Sequence, residues 1–527
     1  MQADVGFDWV DNHARRHPDS VAVATVDTGF ELTWAGLEAR VARLAHLLAA
    51  AFGVNAGDRV ALIAESDARY FEIQFALIRL GAVFVPLNIR LSAPELIATA
   101  ADAGVRAIVH DPGHGDLAAT LGAARGVPTL RWDEGSAPTP YDAVNDPGAP
   151  ALGARRLDPD AVAQIMYTSG TTGKPKGVIC TNGQLAANAV NMAQVCRCAD
   201  RDAHALNYVP LFHAGGLNIY CNPVLYWGGR VTTTRRFDPV QALSLLSDEK
   251  LACTISNGVL QMFERMAQVD GFDDVRFPTL RVLLFGGFGP GADKTYARWL
   301  HKGPAVLLGY GSTELGPMVC MNDGTDDSAM ERGAFGRPVP YAQVRCVDDA
   351  GAEVPPGETG EIQARGPAVT AGYWGCGDQG FRDGWFSIGD CGYFDTDGQV
   401  HITGRLVERY RSGGENIYPA EVETFFMDMP GIVDLAVTGV PDEKWGEVGL
   451  IAVVPEPGVT ITLDDVARHA EGRLARYKVP RHLQILDAIP RSTTLKPARH
   501  ELRARFIADG QPVGARSAAE GAGRPQP

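Results

Sequence analysis

Apolar positions change their spacing several times along the chain, and each change marks an element or a boundary. Over Leu32–Phe52, leucine and alanine recur with charges set between them, the spacing of an amphipathic helix. Arg59–Ala64 is a short apolar run that predicts a buried strand. Tyr70–Leu80 returns to helical spacing, and Val83-Phe-Val-Pro86 breaks the pattern at its proline. The alternation continues through Arg106–His110, which predicts a largely parallel sheet flanked by helices. Buried strands recur at Ala161–Tyr167, Arg281–Phe285 and Ala305–Leu308. Each runs into a glycine-bearing loop, and open α/β sheets bind ligands at such carboxyl-terminal strand ends.

From about Tyr341 the pattern shortens to strand-like segments between the turn signals Asp348-Asp-Ala-Gly351, Pro355-Pro-Gly357 and Asp395-Thr-Asp-Gly398. After Gly404-Arg405 a new unit begins: a helix from Pro419, a strand near Val433–Val440, a helix over Leu463–Arg476 and a strand near Leu483–Leu486. These patterns predict an α/β fold with a large N-terminal domain over residues 1–406, including a small β-rich subdomain over about 341–404. A small α+β domain follows over 407–509, a sufficient length for an independent core. Residues 510–527, rich in glycine, alanine, serine and proline, are expected to be a disordered tail.

Composition narrows the function classes. At 527 residues the chain needs two or more cores, and 45% hydrophobic with 21% charged residues places it among globular proteins rather than disordered ones. A formal net charge of -15, with no basic run to offset it locally, excludes nucleic acid as a main partner. Met1-Gln-Ala-Asp-Val5 lacks the basic-then-apolar start of a secretory signal, and no apolar stretch reaches the roughly 18 residues of a membrane span. Nine scattered cysteines, with only Cys196 and Cys198 close together, do not make a zinc site and predict reduced thiols in a cytoplasmic protein.

Tyr167-Thr-Ser-Gly-Thr-Thr-Gly-Lys-Pro-Lys-Gly-Val178 carries the densest chemistry. Small residues after a strand let backbone N–H groups converge on an anion, while four hydroxyls and two lysines add donors and charge. It lacks the Gly-Lys-Ser/Thr ending of a Walker A loop. The plain alternative is a solvated linker.

Further motifs follow in order: Pro210-Leu-Phe-His213-Ala-Gly-Gly216, Gly309-Tyr-Gly-Ser-Thr-Glu314, Gly384-Trp-Phe-Ser-Ile-Gly-Asp390, Gly404-Arg405, Ser412-Gly-Gly-Glu-Asn-Ile-Tyr-Pro-Ala-Glu421 and Pro490-Arg-Ser-Thr-Thr-Leu-Lys496. The ordered set, spanning nearly the whole chain, resembles that of the adenylate-forming superfamily: acyl-CoA synthetases, peptide-synthetase adenylation domains and beetle luciferases.

The resemblance implies roles. Thr168, Ser169, Gly170, Thr171, Thr172, Gly173 and Lys176 would hold the phosphates of ATP. Gly287, Phe288, Gly289, Tyr310, Gly311 and Ser312 would line the adenine site, with Gly309 and Gly311 letting backbone approach the base. Thr313 would reach the α-phosphate, and Glu314 with Thr168 would hold Mg²⁺, which prefers one or two carboxylates plus phosphate oxygens. Asp390 would bind the ribose hydroxyls and Arg405 ribose or phosphate. Lys496 would bridge carboxylate and α-phosphate oxygens, lowering the repulsion between two anions. His213, Gly215, Gly216, Asn257, Gly286 and Gly309 would form the acyl pocket; His213 suits lining or gating better than acid–base work. Ser412, Gly413, Gly414 and Glu415 would shape a thiol tunnel after the C-terminal domain turns about a hinge near Val407. Taken singly, these residues would read as a core tyrosine, a helix-start Thr-Glu pair, turn residues and a solvated lysine.

Four positions depart from the family pattern. Asn182 stands where many relatives carry histidine, and Phe288-Gly289 replaces the common Ala-Pro. Val407 occupies a hinge position usually held by aspartate or lysine. Leu495 replaces the glycine before Lys496, with Pro497 behind it. The implied reaction is acid plus ATP to acyl-AMP and pyrophosphate, then acyl-AMP plus coenzyme A to acyl-CoA and AMP. Its rivals are loading of a carrier protein in trans, a luciferase-like oxygenase and a catalytically silent nucleotide-binding protein. The acid, and monomer versus homodimer, stay open.

Overall fold

A computed structural model describes residues 6–135, 137–168, 175–200, 202–286, 292–324, 332–377, 379–491 and 497–508. Among them the chain forms four sheets. The first runs in the order Thr129–Arg131, Val105–His110, Arg59–Ile63, Val83–Pro86, Val162–Thr168, Lys176–Thr181. It is parallel except for the last pair, which is antiparallel. Val83–Pro86 is therefore a fully buried inner strand rather than a break. Its proline stands at the final position, where the strand is ending.

The second sheet has nine strands, and its centre is parallel: Ala305–Tyr310, Val282–Gly286, Ile255–Val259, His204–Asn207, Arg230–Thr233, Val21–Thr25. Tyr310 and Gly286 close their strands at the same carboxyl edge. Two large apolar cores lie against these sheets, one around Trp34, Phe71 and Trp132, the other around Phe263, Phe285 and Trp299. Helices Trp34–Phe52 and Arg69–Leu80 pack together as their spacing requires.

A third, antiparallel sheet holds Gln343–Val347, Gly360–Arg365, Asp390–Phe394 and Val400–Arg405. The fourth lies beyond it and contains a strand absent from the sequence reading, Gly446–Pro455. This strand is the spine of the small domain, antiparallel to Ile432–Asp442 and parallel to His482–Ile485. Its uninterrupted apolar run, Leu450–Val454, is only five residues long between Gly449 and Pro455, too short for periodicity to mark the strand's full extent. The helix expected over Leu463–Arg476 ends at Ala470, because Glu471 is extended and Gly472 left-handed. The nine cysteines are free thiols. Among the described residues no helix is long and apolar enough to cross a membrane. The expected tail, 510–527, lies outside the described residues.

Candidate active site

Thr168 and Lys176 face each other at the open end of an antiparallel strand pair. The phosphate-loop candidate thus joins two strands of one sheet, whereas a Walker A loop opens a helix. Ser169, Gly170, Thr171, Thr172 and Gly173 lie outside the described residues. The Lys176 ammonium sits 4.9 Å from the centre of the Tyr373 ring. Tyr373 in turn donates its hydroxyl hydrogen to Glu314 Oε1 at 3.0 Å. The Thr370 N–H donates to the Glu314 carbonyl at 2.8 Å, and its hydroxyl to the Ile179 carbonyl at 2.6 Å. Glu314 is therefore held, side chain and main chain, by a segment running beside the strand of Lys176. Tyr373 was not singled out from the sequence; its one local signal is an aromatic pair between glycines, Gly372-Tyr-Trp-Gly375.

Tyr310 donates to Asp390 Oδ2 at 2.9 Å. Arg405, paired with Asp390 across two antiparallel strands, approaches Oδ1 with its Nε at 2.7 Å. Asp390 is only 8% exposed. Burial, and then the neighbouring carboxylate, push the Tyr310 phenol well above its ordinary range, so the phenol stays a donor. Gly311 has a reason other than close approach of a base: a Cβ there would run into the Pro317 carbonyl oxygen of its own chain. Ser312 keeps a buried hydroxyl without a partner among the described residues. Thr313 opens the short turn that carries Glu314.

Glu314 would offer a cation one carboxylate, and the described residues contain no group of three or more possible metal ligands. Together with the Thr168 hydroxyl and phosphate oxygens, that donor set fits Mg²⁺, which keeps several non-protein ligands.

Where the acyl pocket is expected, Asn257 donates to the Gly215 carbonyl at 2.9 Å, and Gly286 and Gly309 are paired on adjacent strands. Gly216 packs under the Pro210 carbonyl. Gly287, Phe288 and Gly289 lie outside the described residues. His213 reaches solvent at the head of the short helix Ala214–Gly216, with the Phe212 ring 4.6 Å away. The protein walls around it, and secondarily the Arg90 charge, push its imidazole down to about 4. An imidazole pushed down in this way is neutral near pH 7. Asn182 is buried and donates to the Asp158 carbonyl at 2.9 Å, an anchoring contact.

Ser412 and Glu415 pair across a hairpin whose two turn residues, Gly413 and Gly414, both have positive φ (62° and 96°). Such a turn demands residues without a Cβ, and Gly413 also lies against the Trp445 ring. Val407 stands in a short turn, Leu406–Glu408, between the third and fourth sheets. Lys496 and Leu495 lie outside the described residues.

Two family models match the chain: an AMP-binding enzyme model over residues 10–374 and an AMP-binding enzyme C-terminal domain model over 421–496. Feruloyl-CoA synthase of Amycolatopsis sp is 41% identical, over 94% of this chain and 98% of that protein. Indoleacetate–CoA ligase of Aromatoleum aromaticum is 34% identical, over 94% and 97%. The structure of ATP-bound MatB from Rhodopseudomonas palustris superposes with a TM-score of 0.83 at 31% identity, covering 96% of this chain and 99% of that one. With its phosphate-loop strands, Tyr310–Asp390–Arg405 set and Glu314 in one arrangement, the chain belongs to the AMP-binding enzyme family of the adenylate-forming superfamily.

Proposed function

We propose that this AMP-forming acid–thiol ligase activates a planar aromatic carboxylic acid and transfers it to coenzyme A. A carboxylate oxygen of the acid attacks the α-phosphorus of ATP, and the bond to pyrophosphate breaks. The thiol sulfur then attacks the acyl carbon, AMP departs with the bonding pair, and the thiol proton passes to solvent. Positioning and charge neutralisation do most of the work in such phosphorus chemistry.

The observation that carries the reading is the buried Tyr310–Asp390–Arg405 set. Asp390 accepts from the ribose hydroxyls, while Tyr310 and Arg405 fix the direction of its carboxylate. Thr168 and Lys176 hold phosphate oxygens at the end of their strand pair. Glu314, oriented by Tyr373, and Thr168 hold Mg²⁺, which offsets phosphate charge when bound. Lys496 lies between the two anions in the first step. The small domain starts at Val407 and turns there between steps, bringing Ser412–Glu415 to the thiol.

The aromatic class rests on the named chemistry of two relatives. The two relatives above are named for feruloyl and indoleacetate chemistry. The free and mostly buried thiols suit a reducing cytoplasm.

A panel of acids scored by pyrophosphate release, with and without coenzyme A, tests the reading. Aromatic acids should exceed medium-chain fatty acids, with thioester appearing only when thiol is added. A fatty-acid preference would replace the substrate class, and thioester on a phosphopantetheine carrier but not on coenzyme A would replace the acceptor. No acid-dependent release would overturn the activity.

A further inference from the structure

Tyr373 touches two groups of the expected site with two different parts of its side chain. Its hydroxyl donates to Glu314 Oε1 at 3.0 Å, and its ring centre lies 4.9 Å from the Lys176 ammonium. The phenol is a directional donor, while the ring is a seat for a cation.

The backbone around Tyr373 is pinned. The residue forms an antiparallel bridge with Val178. On either side of that bridge the Ile179 N–H donates to the Gly372 carbonyl at 3.0 Å and the Trp374 N–H to the Gly177 carbonyl at 2.7 Å. The Phe386 ring packs on it with 5.8 Å between centres. Tyr373 and Glu314 are both buried. Burial, and then the Glu314 charge, push the phenol above its ordinary range, so it remains a donor. Its hydrogen therefore caps Oε1 and leaves Oε2 for a cation.

One capped oxygen changes which cation fits. Ca²⁺ readily takes both oxygens of a carboxylate and gathers six to eight oxygen ligands, about as many as flexible sites can supply. Mg²⁺ is smaller, demands near-octahedral geometry, and is satisfied by few carboxylate oxygens together with phosphate oxygens and water.

We propose that Tyr373 is a specificity-determining residue for the cation carried by ATP: by capping Glu314 Oε1 it restricts that carboxylate to one oxygen and so favours Mg²⁺ over Ca²⁺, while its ring holds Lys176 towards the phosphates. This rests on the roles of Glu314 and Lys176 proposed above.

Calorimetric titrations with MgATP, CaATP and ATP in excess EDTA test it without reference to turnover. Tyr373→Phe removes the cap and keeps the ring. Its preference for MgATP over CaATP should fall about tenfold, the weight of a hydrogen bond to a charged group, with ATP in EDTA bound within about twofold of the unmodified enzyme. Tyr373→Leu should show the same fall and also bind ATP in EDTA about threefold more weakly, because the cation seat is lost. In a Glu314→Gln background, Tyr373→Phe should change the preference no further, since both act through one carboxylate. An unchanged preference in Tyr373→Phe, a similar fall in the Glu314→Gln background, or equal weakening of all three ligands would each overturn the proposal. So would an unmodified enzyme that binds both metal complexes alike, although its acid-dependent pyrophosphate release would leave the function reading standing. If the unmodified enzyme binds no ATP in any form, the function reading fails with it.

Discussion

Tyr310 and Asp390 stand on different sheets and meet in one buried hydrogen bond, phenol to carboxylate, at 2.9 Å. Tyr310 closes a parallel strand of the nine-stranded sheet, and Asp390 opens a strand of the antiparallel one. The contact fixes where the carboxylate points relative to the carboxyl edge of the parallel sheet. Arg405 holds its other oxygen.

Removing either group should therefore affect ATP binding more than folding. Asp390→Ala should weaken ATP by about 1.5–3 kcal/mol, the range for hydrogen bonds to a charged group. Tyr310→Phe should cost about 1 kcal/mol, since Arg405 still orients Asp390. Calorimetric titration with ATP measures both, and unchanged affinity in Asp390→Ala would remove Asp390 from the site.

Lys496→Ala should reduce acyl-adenylate formation about 10²–10³-fold, as loss of a charge aimed at the transition state does. Thioester formation from supplied acyl-AMP should persist, because that step needs no such charge. Single-turnover assays of each half-reaction separate the outcomes. Equal loss in both would show that Lys496 has a different role.

The residues expected to hold nucleotide are legible because they lie in contiguous words, such as Gly309-Tyr-Gly-Ser-Thr-Glu314, whose chemistry reads locally. Contacts between distant segments are not. Tyr373 meets Glu314 across 59 positions, and Arg499 meets Glu423 across 76, with nothing in either segment naming the other. The strand Gly446–Pro455 shows only a five-residue apolar run in the sequence, and its Gly449 lies against the Tyr410 hydroxyl. Gly311 is expected to allow close approach of a base, and packing adds a reason that the sequence does not show: the chain's own return at Pro317 leaves no room for a Cβ. A missing side chain shows that something comes close, but only packing shows what it is.

His213 gives a pH prediction. Its folded pKa, about 4, lies below the ordinary imidazole value of 6.5. The neutral ring is thus the native form above about pH 4, and protonation sets in only below that. The thioester rate should accordingly show no inflection from this residue between about pH 5 and 8. A rate profile with an inflection near 6.5 that disappears in His213→Ala would contradict the lining role.

Val407→Pro tests the pivot most directly. Leu406 is held by Gly389 and Glu408 by Arg499, so the proposed rotation between the two domains would fall on the residue between them. Proline fixes φ near -65° and removes the N–H, which blocks rotation about that bond. Adenylation should stay largely intact while thioester formation is lost. Val407→Asp should be tolerated in both steps, because the side chain is solvent-facing and contributes little to either core. If Val407 were instead only a link packed between the domains, proline would lower the melting temperature and both half-reactions would fall together. Acyl-AMP release, thioester yield and a melting curve on the same preparation tell these apart. Thioester formation at the unmodified rate in the proline variant would place the pivot elsewhere, and the domain boundary with it.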